Sequence, residues 1–132
     1  MKREQHDLVQ GTDAWHSFRL EHDGASEAPM MLGLSKYKSR SDFLREKATG
    51  VKPEVDANTQ YLFDAGHATE AAARPLAEEV IGEDLFPVTC SFGRLSASCD
   101  GLTMSGEIAF EHKLHRGDLA DAVMRRELPD EY

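Results

Sequence analysis

The arrangement that most limits the possible folds is a long helical pattern followed at once by short strand candidates. From Asn58 to about Ile81, apolar residues recur at helical spacings. Pro75 lies inside this run and removes one main-chain hydrogen bond, so we expect a kink or a restart of the helix there. The three strand candidates that follow are 85–90, 95–99 and 107–114. A long helix beside a small mixed sheet predicts an α+β fold.

Helical signals also dominate the N-terminal half. A helix that begins at Thr12 or Asp13 is predicted to run through Trp15, Phe18 and Arg19, because a hydroxyl or carboxylate can cap its first turn. Residues 1–10 are polar and are predicted to be loose. The other predicted helices begin near Ala25, run from Ser39 or Ser41 to about Ala48, and run from Asp118 to Arg126.

The composition is that of a soluble globular protein. The 132 residues are 40% hydrophobic and 30% charged, which predicts a single domain over residues 1–132. No apolar run approaches the roughly 18 residues of a membrane helix, so no membrane contact is expected. The N-terminus lacks the apolar stretch of a signal peptide. Two cysteines, Cys90 and Cys99, are too few for a disulfide framework, so reduced thiols and a cytoplasmic location are expected.

Two carboxylates and a lysine carry the most specific chemical signal. Asp100 is followed by a turn-forming stretch and then by Glu111-His112-Lys113. Side chains alternate along a strand, so Glu111 and Lys113 are expected to point the same way, roughly 7 Å apart. If the turn brings Asp100 beside them, the two carboxylates can hold a hard cation, Mg²⁺ or Mn²⁺. Such an ion activates water for attack on a phosphodiester, and the lysine orients that water.

A simpler interpretation competes with this one. A Glu-x-Lys tripeptide on a strand is more often a solvated ion pair on an exposed face, and an Asp-Gly before an apolar residue can be only a hairpin turn. The order of carboxylate, turn, and carboxylate-x-lysine is rarer by chance than either part. The histidines His67, His112 and His115 do not have a spacing typical of a zinc site.

The charge is negative overall but unevenly distributed. The formal net charge of −9 argues against nucleic-acid binding, because phosphate contacts need Lys and Arg. Between Lys36 and Lys52, however, six basic residues face only two acidic ones, whereas Glu54 to Asp84 contains eight acids and one base, Arg74. A basic segment on an acidic body can still bind a phosphate backbone locally. The alternative is that this segment is only the solvated side of a helix.

Five blocks, in one order, carry a family resemblance. They are Gln10-Gly11-Thr12-Asp13-Ala14-Trp15 through Leu20, Gly24 to Ala28, Leu32 to Ser39, Gly66 to Glu70, and Ser98 to Leu102 with Glu111-His112-Lys113. In this order the chain resembles the phage lambda exonuclease family, the YqaJ-type viral recombinases among the PD-(D/E)XK nucleases. Each block alone is weak, but the ordered set is specific. The resemblance implies a restriction-endonuclease-like core.

The resemblance also implies roles for individual residues. Asp100 and Glu111 match the metal-binding carboxylates, the backbone carbonyl of His112 completes the metal's ligands, and Lys113 matches the lysine that positions the attacking water. Glu70 matches an acidic residue near the metals, where a second ion would stabilise the leaving oxygen. The two remaining matches, Arg19 and Ser26, correspond to residues that hold a DNA 5′-phosphate, as suits a guanidinium and a hydroxyl near a helix start.

Two departures from the family pattern stand out. Cys99 occupies the place where a proline often precedes the first acidic residue, a change that affects the turn and not the chemistry. The family pattern continues with a helix carrying a glutamine close to the metals, at the point where this chain reaches Tyr132. We therefore expect the C-terminal part of the domain to be missing, leaving apolar surface exposed and favouring instability or oligomerisation.

These observations lead to one main functional hypothesis and two alternatives. The main hypothesis is a Mg²⁺-dependent deoxyribonuclease that digests linear double-stranded DNA from a 5′ end in phage-type recombination. By resemblance alone, its partners would be DNA ends, a single-strand annealing protein and two further copies in a trimer. The first alternative is a catalytically incomplete domain that binds DNA ends or serves assembly. The second, prompted by the negative charge, is an acidic protein that mimics DNA.

Overall fold

The computed structural model describes residues 2–115 and 117–129. Helices and strands alternate along the N-terminal half, and a long helix then leads into a hairpin. The elements in chain order are β1 (Glu4–His6), α1 (Asp13–Glu21), β2 (Asp23–Gly24), a 3₁₀ turn (Ala25–Glu27), α2 (Ala28–Met31), α3 (Arg40–Thr49), α4 (Ala57–Ile81), β3 (Leu85–Phe92), β4 (Leu95–Thr103), β5 (Ala109–Phe110) and α5 (Gly117–Arg125).

The five strands form one small sheet flanked by helices, which confirms the predicted α+β class. The strand order is β1-β3-β4-β2, and β5 also pairs with β4. Only β2 and β4 run parallel among the described pairs, so the sheet is mixed, as expected. The prediction that residues 1–10 are loose was wrong in part, because Glu4–His6 pairs with β3. No hydrophobic pattern indicated this strand, since its three residues are polar.

The β3–β4 hairpin is the centre of the sheet. Its strands extend further than predicted, to Phe92 and Thr103. The turn between them contains Gly93 at φ 61°, a conformation that glycine adopts without a steric cost. The pairing register shifts between Phe86 and Val88, around a proline that has no N–H to donate to the ladder.

Helix α4 is longer and more regular than the sequence predicts. It begins after the cap Asp56, whose side chain accepts a hydrogen bond from the Thr59 N–H, and it ends at Gly82 with φ 79°. The helix does not restart at Pro75, because it is continuous from Ala57 to Ile81. Both Pro75 and Ala71, whose carbonyl loses its intrahelical partner, are exposed, so water can satisfy that carbonyl.

The other helix caps follow the sequence. The Thr12 side chain caps α1, and of the two serines considered for α3 the cap is Ser39, which accepts from the Asp42 N–H. The helix predicted from Asp118 to Arg126 is α5, displaced by one residue at each end. None of the helices in the described ranges has the length and apolarity needed to cross a membrane.

The core is small and contains polar side chains. Its fully enclosed side chains are threonines, Thr89 and Thr103, and its apolar members include Phe43, Leu85 and Leu102. Many large apolar side chains are exposed instead, which agrees with the apolar surface expected from the sequence. On α4 they include Leu76 and Val80, and elsewhere Met104 and Met124.

Candidate active site and nucleic-acid interface

The pairing of β4 with β5 brings the two segments that carry the predicted metal-binding carboxylates next to each other. Gly101 pairs with Phe110 and Leu102 with Ala109 in an antiparallel register. Continuing that register by one residue would place Asp100 opposite Glu111. Directly opposed residues of an antiparallel pair project to the same face, with Cβ atoms about 4.5–5.5 Å apart. The turn therefore returns the chain beside β4, and each acid adjoins a residue of the last pair, Gly101 and Phe110.

The strand expected over residues 107–114 is much shorter, and its early end has a local cause. The main-chain N–H of His112 donates to Asp100 Oδ2 at 2.7 Å. A side-chain carboxylate has thus taken a donor that could otherwise extend the ladder beyond Phe110. The consequence is that Asp100 is tied directly to the Glu111-His112-Lys113 segment, which has no regular secondary structure.

Lys113 and Glu111 form an ion pair at this point. The Lys113 ammonium contacts Glu111 Oε1, and both side chains are about half exposed. The neighbouring Cys99 thiol is also affected by this negative charge, because its pKa is raised. Burial raises the pKa of Cys99, and the charges of Cys90, Glu111 and Asp100 raise it further. Both acids are therefore close enough to act on the Cys99 side chain.

Arg74 connects Glu70 on α4 to Asp100 on β4. The guanidinium donates from NH2 to Glu70 Oε1 at 2.5 Å and from Nε to the Asp100 carbonyl oxygen at 3.0 Å. Both side chains are mostly shielded from solvent, with 17% of Glu70 and 20% of Arg74 exposed. Helix α4 is thereby fixed to β4 at the residue that bears the first carboxylate.

The donor groups suit a hard divalent cation. Within residues 2–115 and 117–129, the hydrogen bond from His112 is the only one to the Asp100 carboxylate, and it occupies Oδ2. The other oxygen, the Glu111 carboxylate and a main-chain carbonyl are the oxygen ligands that Mg²⁺ prefers. The described residues contain no group of three or more His, Cys, Asp or Glu side chains placed to hold a metal. A site here would therefore rest on two carboxylates, the main chain and water.

Arg19 and Ser26, predicted from separate blocks, lie together. Arg19 NH2 is 3.4 Å from Ser26 Oγ, and its guanidinium lies over the Trp15 ring with Cζ at 4.7 Å from the ring centroid. The same NH2 donates to Glu27 Oε1 at 3.2 Å. The guanidinium is thus held by a ring on one side and a carboxylate on the other, in a fixed position next to the hydroxyl.

Glu27 organises this corner of the molecule. It is 8% exposed, and its Oε2 accepts from the Gly24 N–H at 2.9 Å and from Lys47 Nζ at 2.8 Å. The Lys47 ammonium also donates to the Arg19 and His22 carbonyl oxygens. These donors satisfy the hydrogen-bonding capacity of a nearly buried carboxylate. The network joins α1, the 3₁₀ turn and α3.

A hydrogen bond connects this corner to the acidic pair. Trp15 Nε1 donates to Ser98 Oγ at 2.9 Å, and Ser98 precedes Asp100 by two positions on β4. The indole that supports Arg19 is therefore hydrogen-bonded to the strand that carries Asp100.

A cleft of about 630 Å³ lies between α1, α3 and the first half of α4. Its polar walls are mainly basic, and aromatic rings line it as well. The charged and aromatic residues are Trp15, His16, Arg19, Glu27, Lys38, Phe43, Glu46, Lys47, Lys52, Phe63 and His67. His67, which lines the cleft, has Nδ1 at 3.8 Å from Glu70 Oε2, and Arg74 connects Glu70 to the Asp100 carbonyl.

The comparison with protein families agrees with this arrangement. A model of the YqaJ-like viral recombinase domain matches residues 14–132. The chain belongs to this family. YqaJ-like viral recombinases are phage-type recombination nucleases, so membership supports a nuclease role for the chain. No curated protein matches it.

Several residues of this YqaJ-like site were not predicted from the sequence. Glu27 was part of a matched block but was not assigned a role, because a glutamate three positions after a turn resembles a helix cap. Arg74 had a visible signal, since it is the single base between Glu54 and Asp84 and lies one helical turn after Glu70. His16 and Lys52 had no such signal, because only the fold brings them together.

Proposed function

We propose that this YqaJ-like protein is a Mg²⁺-dependent deoxyribonuclease that degrades linear double-stranded DNA from a 5′ end. The observation that supports the proposal is the β4–β5 pairing next to Asp100 and Glu111, together with the contact of the Lys113 ammonium with the Glu111 carboxylate. Two oxygen ligands and an amine at one point are the chemistry that hydrolysis of a phosphodiester requires.

The proposed role of each residue follows from the chemistry of its side chain or main-chain group. The free oxygen of Asp100, the Glu111 carboxylate and the His112 carbonyl are the groups that would hold Mg²⁺, with Glu70 placed nearby. When bound, the ion would lower the pKa of a water and offset negative charge on the phosphate. Lys113 would keep that water oriented, because its ammonium donates hydrogen bonds in several directions.

The contact between Arg19 and Ser26 supports the proposed 5′ polarity. Arg19 and Ser26 present a guanidinium and a hydroxyl side by side, which suits the oxygens of a terminal phosphate. The Trp15–Ser98 hydrogen bond fixes this pair relative to Asp100. A strand whose 5′-phosphate is held there would have a defined position along the cleft toward the acidic pair.

Turnover of a linear duplex tests the proposal. Purified wild type, Glu111→Gln and Lys113→Met are incubated with a 5′-phosphorylated duplex and Mg²⁺, and nucleotide release is measured. Each variant is expected to lose activity by about 100-fold or more. Glu107→Gln is the matched control, because it makes the same change at an exposed position on the same turn. Equal rates for wild type and both site variants would rule out the proposed chemistry.

A second candidate function is DNA-end binding without turnover. It is favoured by the contact between Glu70 and Arg74, which occupies an acid that a second metal would need. In that case Mg²⁺ would strengthen binding to duplex ends while no nucleotide is released. Measuring end binding and nucleotide release on the same preparation separates the two functions.

A further inference from the structure

Lys52 differs from the other cations of the cleft in how it is paired. Arg19 and Lys47 contact Glu27, and Lys38 contacts Glu46 at 2.5 Å. In the part of the chain that the structure describes, the hydrogen bond made by Lys52 Nζ is to His16 Nδ1, at 3.2 Å, and no carboxylate pairs with it. An ammonium that faces a cleft without a carboxylate has donors left for an anion.

The charges around Lys52 also favour an anion. Burial lowers its pKa, and the neighbouring cations Arg19 and Lys38 lower it further, against smaller opposing contributions from Glu46 and Glu27. The positive charges of Lys52, Arg19 and Lys38 are thus close together, and the nearby glutamates offset their repulsion only in part. An entering phosphate would relieve this repulsion and would interact with several of the cations at once.

His16 supports the position of Lys52. Burial lowers the pKa of His16, as do Lys52 and Arg19, while Asp13 raises it. The ring is therefore neutral near pH 7, and its Nδ1 can accept the hydrogen bond from the ammonium. Its edge also packs against Trp15, with the ring centroids 4.9 Å apart.

Two contact points that start one helical turn apart on α1 would suit two neighbouring phosphates of one strand. His16 and Arg19 are three residues apart on α1, so their Cβ atoms lie about 5–6 Å apart on one helix face. Arg19 turns toward Ser26, whereas His16 turns toward Lys52. Successive phosphates of one DNA strand advance by about 3.4 Å along the helix axis, so consecutive groups can reach cations one helical turn apart.

We propose that Lys52, oriented by His16, binds the internucleotide phosphate that follows the 5′-terminal phosphate. The ligand class is a phosphodiester of a DNA strand, and the inference rests on the proposed function. Arg19 and Ser26 recognise the terminal phosphate and so distinguish phosphorylated ends. Lys52 contacts a phosphate that every strand has, and it therefore contributes to affinity whether or not the end is phosphorylated.

Binding measured without turnover tests this assignment. Wild type, Lys52→Gln and Arg19→Gln are titrated in EDTA against fluorescent duplexes that carry either a 5′-phosphate or a 5′-hydroxyl, across a range of salt concentrations. Lys52→Gln is expected to weaken binding of both duplexes by roughly tenfold. It should also reduce the slope of log affinity against log salt by about one phosphate contact. Arg19→Gln should instead remove most of the preference for the 5′-phosphate.

Controls separate this role from a structural one. Arg125→Gln removes the same charge on α5, outside the cleft, and should leave the affinity and the salt slope unchanged. Lys52→Arg should restore the slope, because the cation is kept. An unchanged slope in Lys52→Gln, or a loss confined to the 5′-phosphorylated duplex, would overturn the assignment. Because the readout needs no catalysis, it can succeed or fail independently of the nuclease test.

Discussion

In the candidate site, Arg74 connects Glu70 to Asp100. One guanidinium bonds Glu70 on α4 and the main-chain carbonyl of Asp100 on β4. A planar fork of donors can satisfy two acceptors in a fixed geometry, whereas an ammonium has no such preset directions. Arg74 is therefore a positioning residue, which sets where Glu70 stands relative to the acidic pair.

Replacing Arg74 should affect turnover more than binding. Arg74→Met is expected to lower kcat for duplex digestion by about 10- to 100-fold, since small misplacements of site residues have effects of that size. KM for DNA should stay close to wild type, because Arg74 does not line the cleft. Arg74→Lys should recover part of the activity through its contact with Glu70.

Steady-state kinetics with Arg94→Met as the control measures this effect. Arg94 is 79% exposed and pairs with Asp23, so its loss should leave both parameters unchanged. A raised KM with an unaltered kcat in Arg74→Met would mean that this guanidinium acts in DNA binding and does not position Glu70.

The sequence predicts a contact between two residues more readily when they are close together along the chain. Glu111 and Lys113 are two positions apart, and their ion pair follows from that spacing. Arg19 and Ser26 are seven apart, and the family blocks were needed to associate them. The link between Trp15 and Ser98 spans 83 positions, so neither periodicity nor motif order predicts it.

At the scale of elements, the two largest surprises have the same physical origin. Strand β5 ends at Phe110, because a side chain of β4 takes the next main-chain donor. Helix α4 continues through Pro75, because water can reach the carbonyl left without a partner. The strand predicted over 107–114 was therefore too long, whereas the helix predicted from Asn58 to Ile81 was confirmed. A replaced main-chain hydrogen-bond partner can be recognised only when the tertiary arrangement is known.

The cap of α4 provides a pH-dependent prediction. Hydrogen bonds from the N–H and the side chain of Thr59 lower the pKa of Asp56 below its ordinary 3.8. A carboxyl with a lowered folded-state pKa stabilises the protein above its ordinary value, and this contribution is lost as pH falls through the folded-state value. Asp56→Asn keeps an acceptor at the cap but removes the charge.

Thermal unfolding of wild type and Asp56→Asn, measured as a function of pH, tests this prediction. Asp56→Asn is expected to melt below wild type between pH 5 and 7, with the difference shrinking below about pH 4 as Asp56 becomes protonated. Asp64→Asn, within the same helix but away from its cap, controls for the loss of a charge. A difference that stays constant down to pH 2.5 would show that the Asp56 charge does not support the helix.

At the scale of the whole molecule, charge is separated along α4. The basic cleft contacts the first half of this helix through Phe63 and His67. Three acids, Glu78, Glu83 and Asp84, surround a surface pocket at its other end. Twenty helical residues span about 30 Å, which is several screening lengths at physiological salt. A net charge of −9 is compatible with local binding of DNA, because Arg19, Lys38, Lys47 and Lys52 line the cleft against only Glu27 and Glu46.

This separation predicts how salt should change the rate of DNA association. The double variant Glu83→Gln with Asp84→Asn removes two acids remote from the cleft, so DNA should be repelled less at long range. At about 10 mM salt, where the screening length is about 30 Å, association should be several-fold faster than in wild type. At about 150 mM salt, where that length is about 8 Å, the rates should be equal.

Stopped-flow mixing with labelled duplex in EDTA measures these rates. Lys52→Gln provides the contrast, because a direct phosphate contact should weaken binding at both salt concentrations. If the double variant accelerated association equally at both, the acids would have to act at short range, close to the bound DNA. The duplex would then extend along α4 toward β3, and the acidic end would form part of the binding surface.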